Sequence, residues 1–302
     1  MSQLFEGLGF SRARIQPRQP IAAPLEMAPA QLVPAAPTET TELPSNAMPE
    51  AGGLGGAVEV EKMLDREKSR SVMVQPPMTS RLVAWTVPNS LGAEKFRALS
   101  VRLDAMRRQN ELKSMQVTSS VINEGKSFVA ANLAVTLAKY SGCKTLLIEG
   151  DLHRPTLASM FGLKDLQGLS DWWTCRNADL ARHMLRFTGT SLWFLPAGKP
   201  CDRPSEILRS PQLAEAFSRL AVQFDWIVID STPMLPVIDA NLWSRLVDGT
   251  LLVVREGIAP LKALKKGLQS LDHPKLIGVV VNEASDFDQT DYEGQYYGGA
   301  RK

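Results

Sequence analysis

SMQVTSSVINEGKSFVAANLAVTLA, from Ser114 to Ala138, decides the fold. A short strand over Ser114–Thr118 runs into Ser119-Ser120-Val121-Ile122-Asn123-Glu124-Gly125-Lys126-Ser127. A helix over Lys126–Tyr140 follows without a spacer. This order suits an anion, because backbone N–H groups and the helix dipole both face the loop. Lys126 would bridge β- and γ-phosphates, and the Ser127 hydroxyl would bind Mg²⁺. Gly125 permits close approach of the backbone. Contacts to ATP are therefore expected from Ser120, Asn123, Glu124, Gly125, Lys126, Ser127 and Phe128. Ser120 stands where the pattern G-x-x-x-x-G-K-[ST] has its first glycine, so the strand–loop–helix context carries the assignment.

Two later strands end in acids. Leu146-Leu147-Ile148-Glu149-Gly150-Asp151 and Trp226-Ile227-Val228-Ile229-Asp230 each place a carboxylate just past an apolar run. Asp151 and Asp230 suit Mg²⁺, directly or through water, since that ion takes one or two carboxylates with waters and phosphate oxygens. Further apolar runs at Leu192–Leu195, Thr250–Val254 and Leu276–Val281 alternate with helices over Ala93–Gln109, Pro211–Gln223 and Leu261–Ser270. The pattern predicts an α/β domain with a mostly parallel sheet, buried on both faces and flanked by helices. Ligands in such sheets bind at the C-terminal strand ends.

The first part of the chain differs in kind. Ten of the twenty prolines lie between Pro17 and Pro77, and all six tryptophans at or after Trp85. Residues 1–78 are expected to form a disordered Pro/Ala-rich arm, with a short charged helix over Val58–Arg70 as its one element. Residues 79–288 form the folded domain and 289–302 a tail. The net charge of +2 supports no nucleic-acid partner, and no basic helix or stripe is present. Cys143, Cys175 and Cys201 form no metal-ligand spacing. No run approaches the roughly 18 apolar residues of a membrane span, and the N-terminus has no signal-peptide core. A cytoplasmic chain is expected, with any membrane role coming through a partner.

With these motifs in place, the chain resembles the bacterial tyrosine kinases of exopolysaccharide and capsule synthesis, in the MinD/ParA-like branch of P-loop proteins. The likeness covers roughly residues 79–302. It runs through TSSVINEGKS, LLIEGDLHRPTL, MFGLKDLQGLSDWW, LWFLPAGKPCDRPSEILRSP, IVIDSTPMLPVIDA, DGTLLVVREG, LIGVVVNEA and the tyrosine-bearing DYEGQYYGG. The resemblance implies ATP- and Mg²⁺-dependent tyrosine autophosphorylation, with Lys126, Glu149, Asp151 and Asp230 as catalytic residues. Glu149 would be the base for the tyrosine proton, and Asn282 would contact adenine. It also implies a membrane-embedded chain-length regulator as activator, a homo-oligomer, a cognate tyrosine phosphatase, and peripheral recruitment to the inner face of the cell membrane. Four positions depart from the family's patterns. Glu149 replaces the first Asp of D-x-D-x-R, and Arg154 comes one place late. Ile122-Asn123 replaces Pro-Gly. Ser100 replaces the second Arg of E-x-x-R-x-x-R after Glu94 and Arg97. Thr232 replaces the first proline after Asp230.

Three of the four tyrosines, Tyr292, Tyr296 and Tyr297, lie in the last eleven residues beside Gly294, Gly298 and Gly299. Glycine gives such a segment reach, so these are the expected phosphorylation sites. Two other readings remain open on the residues. One is a MinD-like ATPase switch, and the other is a weakly active or non-catalytic nucleotide-binding adaptor in the same polysaccharide machinery.

Overall fold

The computed structural model describes residues 70–77, 79–110, 112–175, 179–235, 238–270 and 275–283. The arm up to residue 69 and the tail from 284, with its three tyrosines, lie outside the described residues. In chain order the strands are β1 (Arg70–Val72), β2 (Ser114–Ser119), β3 (Thr145–Glu149), β4 (Leu185–Phe187), β5 (Leu192–Leu195), β6 (Trp226–Asp230), β7 (Gly249–Arg255) and β8 (Leu276–Asn282). The α-helices are α1 (Val83–Thr86), α2 (Leu91–Asn110), α3 (Lys126–Lys139), α4 (Leu157–Met160), α5 (Leu169–Thr174), α6 (Pro204–Leu208), α7 (Pro211–Gln223), α8 (Asp239–Leu246) and α9 (Leu261–Ser270).

One sheet holds all eight strands in the order β1-β4-β5-β3-β6-β2-β7-β8. Among the described residues, only the β4–β5 pair is antiparallel. Both faces are covered, which is why the strands read as apolar runs rather than as alternations. Adjacent residues then serve opposite cores. Leu147, Trp226 and Val228 join one apolar cluster, while Leu146, Ile148, Ile227 and Ile229 join the other. Helix α3 is buried continuously from Val129 to Ala138, as expected of a helix that is apolar all round. Its fully buried Asn132 accepts from Ala84 N at 2.9 Å and donates to Arg81 O at 3.0 Å, which fastens α1 across it. Caps close the predicted helices: Ser90 Oγ accepts from Ala93 N at 3.2 Å, and Ser210 Oγ from Leu213 N at 3.1 Å.

The start of the folded domain differs from the sequence reading. Arg70 does not end a helix but opens β1, which pairs in parallel with β4 from Arg70↔Leu185 to Val72↔Phe187. Thr188 N donates to Val72 O at 3.0 Å, and Val74 and Leu82 are buried. The Pro-rich composition upstream masks this three-residue strand, whose order comes from pairing with residues more than a hundred positions away. The folded domain therefore includes 70–77.

Candidate functional site

Strand β2 lies between β6 and β7, with β3 beyond β6. The chain moves one way from β2 to β3 and later returns to β7 on the other side. The C-terminal ends of these strands thus meet where the strand order reverses, the usual ligand position in such sheets. A hollow lined by Arg107, Lys113, Phe217, Val222 and Asp248 opens at the opposite end of β2.

The loop after β2 is shaped by its own residues. Asn123 has φ 65° and Gly125 has φ 93°, conformations that asparagine and glycine adopt most readily. Gly125 precedes α3, and Val129 N donates to its carbonyl at 3.0 Å. The N–H groups of the first turn have no partner inside the helix and face outward from its end. Phe128 enters this turn, but its ring packs edge-on against Phe96 at 5.6 Å.

Lys126 stands between the two strand-end acids. Its Nζ lies 2.9 Å from Asp151 Oδ2, 3.5 Å from Asp230 Oδ1 and 3.2 Å from Ser127 Oγ. Burial works to lower the lysine's pKa, yet Asp230 and Asp151 outweigh it and hold the ammonium above its ordinary value. Burial pushes Asp230 up, offset in part by Lys126 and the Ser127 hydroxyl, while Asp151 adds to the rise. One ammonium facing two carboxylates leaves an excess of negative charge that favours a cation. Asp230 Oδ2 is buried without a hydrogen-bond partner among the described residues. A buried carboxylate oxygen left unpaired beside a serine hydroxyl fits a Mg²⁺ ligand set.

Gly150 sets the register of these acids. Its N–H donates to Asp230 O at 2.8 Å, and its carbonyl accepts from Trp243 Nε1 at 3.1 Å. A Cβ here would lie 2.7 Å from Ile229 Cγ2 and 2.9 Å from Trp243 Nε1, so only glycine fits. Asp151 Oδ1 accepts from Arg154 N at 3.0 Å. His153 pairs with Asp239, Nε2 to Oδ2 at 3.0 Å. Burial raises Asp239, His153 offsets that, and Asp151 adds to it.

Glu149 is placed differently from the sequence expectation. Its Oε1 accepts from Leu157 N at 2.6 Å and Ala158 N at 3.3 Å, and its Oε2 from Ala197 N at 3.1 Å. Burial raises its pKa, and these three backbone bonds work against the rise. A carboxylate that is 1% exposed and accepts three backbone N–H bonds is an internal brace. It caps α4 and ties down the loop after β5. Both Glu149 oxygens are thus engaged by the chain's own backbone.

Three other expected ligand residues, Glu124, Ser120 and Asn282, bond to the chain itself. Glu124 is fully buried. Its Oε2 accepts from Ser120 Oγ and Val121 N, both at 2.8 Å, and its Oε1 from Arg255 N at 3.3 Å. Asn282 Nδ2 donates to Glu124 O at 3.0 Å. The sequence held a signal for the first of these. A carboxylate inside an anion-binding loop repels its ligand unless its charge is directed elsewhere. On α2, Arg97 pairs with Glu94, and Ser100 Oγ donates to Arg97 O at 2.8 Å.

No family model matches the chain. The putative tyrosine-protein kinase CapB of Staphylococcus aureus is 34% identical over 222 residues, which cover 72% of this chain and 96% of that protein. The succinoglycan biosynthesis transport protein ExoP of Rhizobium meliloti (strain 1021) is 33% identical over 239 residues, 72% of this chain but 29% of ExoP. Among solved structures, the kinase domain of Escherichia coli tyrosine kinase ETK superposes with a TM-score of 0.63 at 25% identity, covering 75% of this chain and 86% of that domain.

Proposed function

Because the chain belongs to the bacterial tyrosine-kinase family, we propose that it transfers the γ-phosphoryl group of ATP to tyrosine hydroxyls, its own Tyr292, Tyr296 and Tyr297 among them. The observation that carries this reading is Lys126 held between Asp151 and Asp230 at the C-terminal sheet edge, beside a helix N-terminus. Lys126 exchanges its carboxylate partners for β- and γ-phosphate oxygens. The backbone from Asn123 to Phe128 cradles the phosphates. Ser127 and Asp230, with Asp151 through water, would hold Mg²⁺, which neutralises charge on the phosphates during transfer. The tyrosine oxygen bonds to the γ-phosphorus as the bond to the bridging oxygen breaks and ADP leaves. The tyrosine proton goes to Asp151 Oδ2, the oxygen that Lys126 releases. Positioning and charge neutralisation supply most of the rate.

The setting is polysaccharide assembly or export, in keeping with the succinoglycan biosynthesis for which ExoP is named. Among the described residues no helix is long and apolar enough to cross a membrane. The chain works in the cytoplasm, drawn to the inner face of the membrane by a membrane-embedded activator. Residues 79–288 with the β1 segment form its kinase domain, and α2 presents Glu94, Arg97 and Arg102 to other copies of the chain. A cognate phosphatase resets the tail.

The engagement of Glu149 favours a second reading, nucleotide binding without tyrosine transfer. One experiment separates the two. The purified chain is incubated with Mg-ATP and its phosphotyrosine located by mass spectrometry, alongside a variant with Tyr292, Tyr296 and Tyr297 all changed to Phe. The kinase reading expects phosphate on these tyrosines, and a triple variant that binds ATP but carries none. ATP hydrolysis with no phosphotyrosine sinks the kinase reading in favour of the switch, and ATP binding with neither favours the adaptor.

A further inference from the structure

The loop is held from behind by strands that enter the chain more than a hundred residues later. Glu124 joins three parts of the molecule. Its carboxylate takes the Ser120 hydroxyl and the Val121 N–H inside the loop, and the Arg255 N–H at the end of β7. Its carbonyl takes the Asn282 amide at the end of β8. That amide lies directly on Gly125, where a Cβ would come within 2.2 Å of Nδ2. The ends of β7 and β8 are themselves joined by an Arg255–Glu283 ion pair. Residue 283 is also where the chain leaves β8 for the tyrosine-bearing segment.

We propose that Glu124 and Asn282 are positioning residues, which hold the phosphate loop in its binding shape from the ends of β7 and β8. The inference rests on the nucleotide-site reading above and changes one part of it. Asn282 acts on the phosphates through the loop backbone, not on the adenine. A loop ordered before the ligand arrives does not subtract its ordering entropy from binding. The Glu124 carboxyl group, fully buried and met by three donors, also keeps the Val121 N–H turned inward, so the phosphates meet only the later N–H groups. Ser120 gains a purpose as well, because a glycine there would leave one Glu124 contact unmade.

The test measures Mg²⁺-dependent binding of two ligands by calorimetry: ATP, and inorganic tripolyphosphate, which has no base to recognise. Asn282→Ala is expected to weaken both by the same factor, up to about tenfold for one lost hydrogen bond. Glu124→Ala should weaken both further, with circular dichroism checking its fold. If Glu124→Ala does not fold, Asn282→Ala decides alone. Loss of ATP affinity with tripolyphosphate spared would show that Asn282 reads the base, and would overturn the inference. So would an Asn282→Ala variant that binds both ligands as the wild type does. So, too, would a wild type that binds ATP but not tripolyphosphate, since the loop would then have no binding shape of its own. A wild type that binds neither ligand refutes the nucleotide site itself, which is a separate failure.

Discussion

Glu149 and Asp230 are register partners across β3 and β6, and both are almost wholly removed from water. Burial is also the leading cause that raises the pKa of each. By those measures they are the same kind of residue. They differ in what their oxygens touch. Glu149 has a backbone donor for each oxygen, whereas Asp230 keeps Oδ2 unpaired among the described residues. A perturbed acid in a cleft is a candidate for chemistry, but the perturbation does not distinguish a brace from a ligand. Satisfaction of its hydrogen bonds does.

Lys126→Ala and Asp230→Asn test the functional side of this comparison and carry the largest expected effect. Each should lower tyrosine phosphorylation by about a hundredfold or more, the scale for loss of one preorganised electrostatic contact. The far-ultraviolet spectrum should not change. Full phosphorylation by either variant would mean that the phosphoryl-transfer site lies elsewhere in the molecule.

Glu149→Ala should break the opposite side. Three backbone N–H groups would lose their acceptor. An unmet buried donor costs roughly 1–3 kcal/mol, so a loss of about 3 kcal/mol or more is expected, on the order of 10 °C in melting temperature. Nucleotide binding and phosphorylation should fall only as the folded fraction falls. Glu149→Gln keeps one oxygen acceptor, so it should lose less stability and retain phosphorylation with an unchanged pH profile. An unchanged melting temperature with phosphorylation abolished would restore Glu149 as the base.

A smaller effect separates the two acids by sign. Asp230→Asn in the absence of nucleotide and Mg²⁺ should melt higher than the wild type, since burial penalises the Asp230 charge more than Lys126 and Ser127 offset it. The gain should depend on pH. An acid whose folded pKa is raised favours the folded state while protonated in both states. That contribution is fully present below the unfolded pKa and is lost as pH rises through the folded pKa. The advantage of Asp230→Asn should therefore vanish at acid pH and grow toward neutral pH, as melting curves across that range would show. Lys126, also raised, keeps its contribution until pH rises through its folded value in the alkaline range.

Much of this was legible in the sequence, and the rest fails for a consistent reason. The strand–loop–helix of Ser114–Ala138 and the runs ending at Asp151 and Asp230 are local patterns, and local pattern fixes strands, helices and the ends where ligands sit. Lys126, Ser127, Asp151 and Asp230 converge because those ends converge. The missed features depend on distant partners. Glu149 reaches Ala197, 48 positions away, and Asn282 reaches Glu124, 158 positions away. β1 is ordered by β4, and no periodicity shows in three residues. Residue type tells which groups can bond, but tertiary placement decides whether a carboxylate faces a ligand or the chain's own backbone.

Gly150 also constrains how this site can drift over evolutionary time. A side chain at that position would collide with Ile229 and Trp243 and press on the Asp230 carbonyl. A new residue there can be accepted only after one of those neighbours has become smaller, so the order of the two mutations is not free. Relatives that carry a larger residue between their two acids should therefore show a compensating smaller residue at the position of Ile229 or Trp243. Exchange of this tripeptide alone between family members should fail where exchange together with the neighbour succeeds.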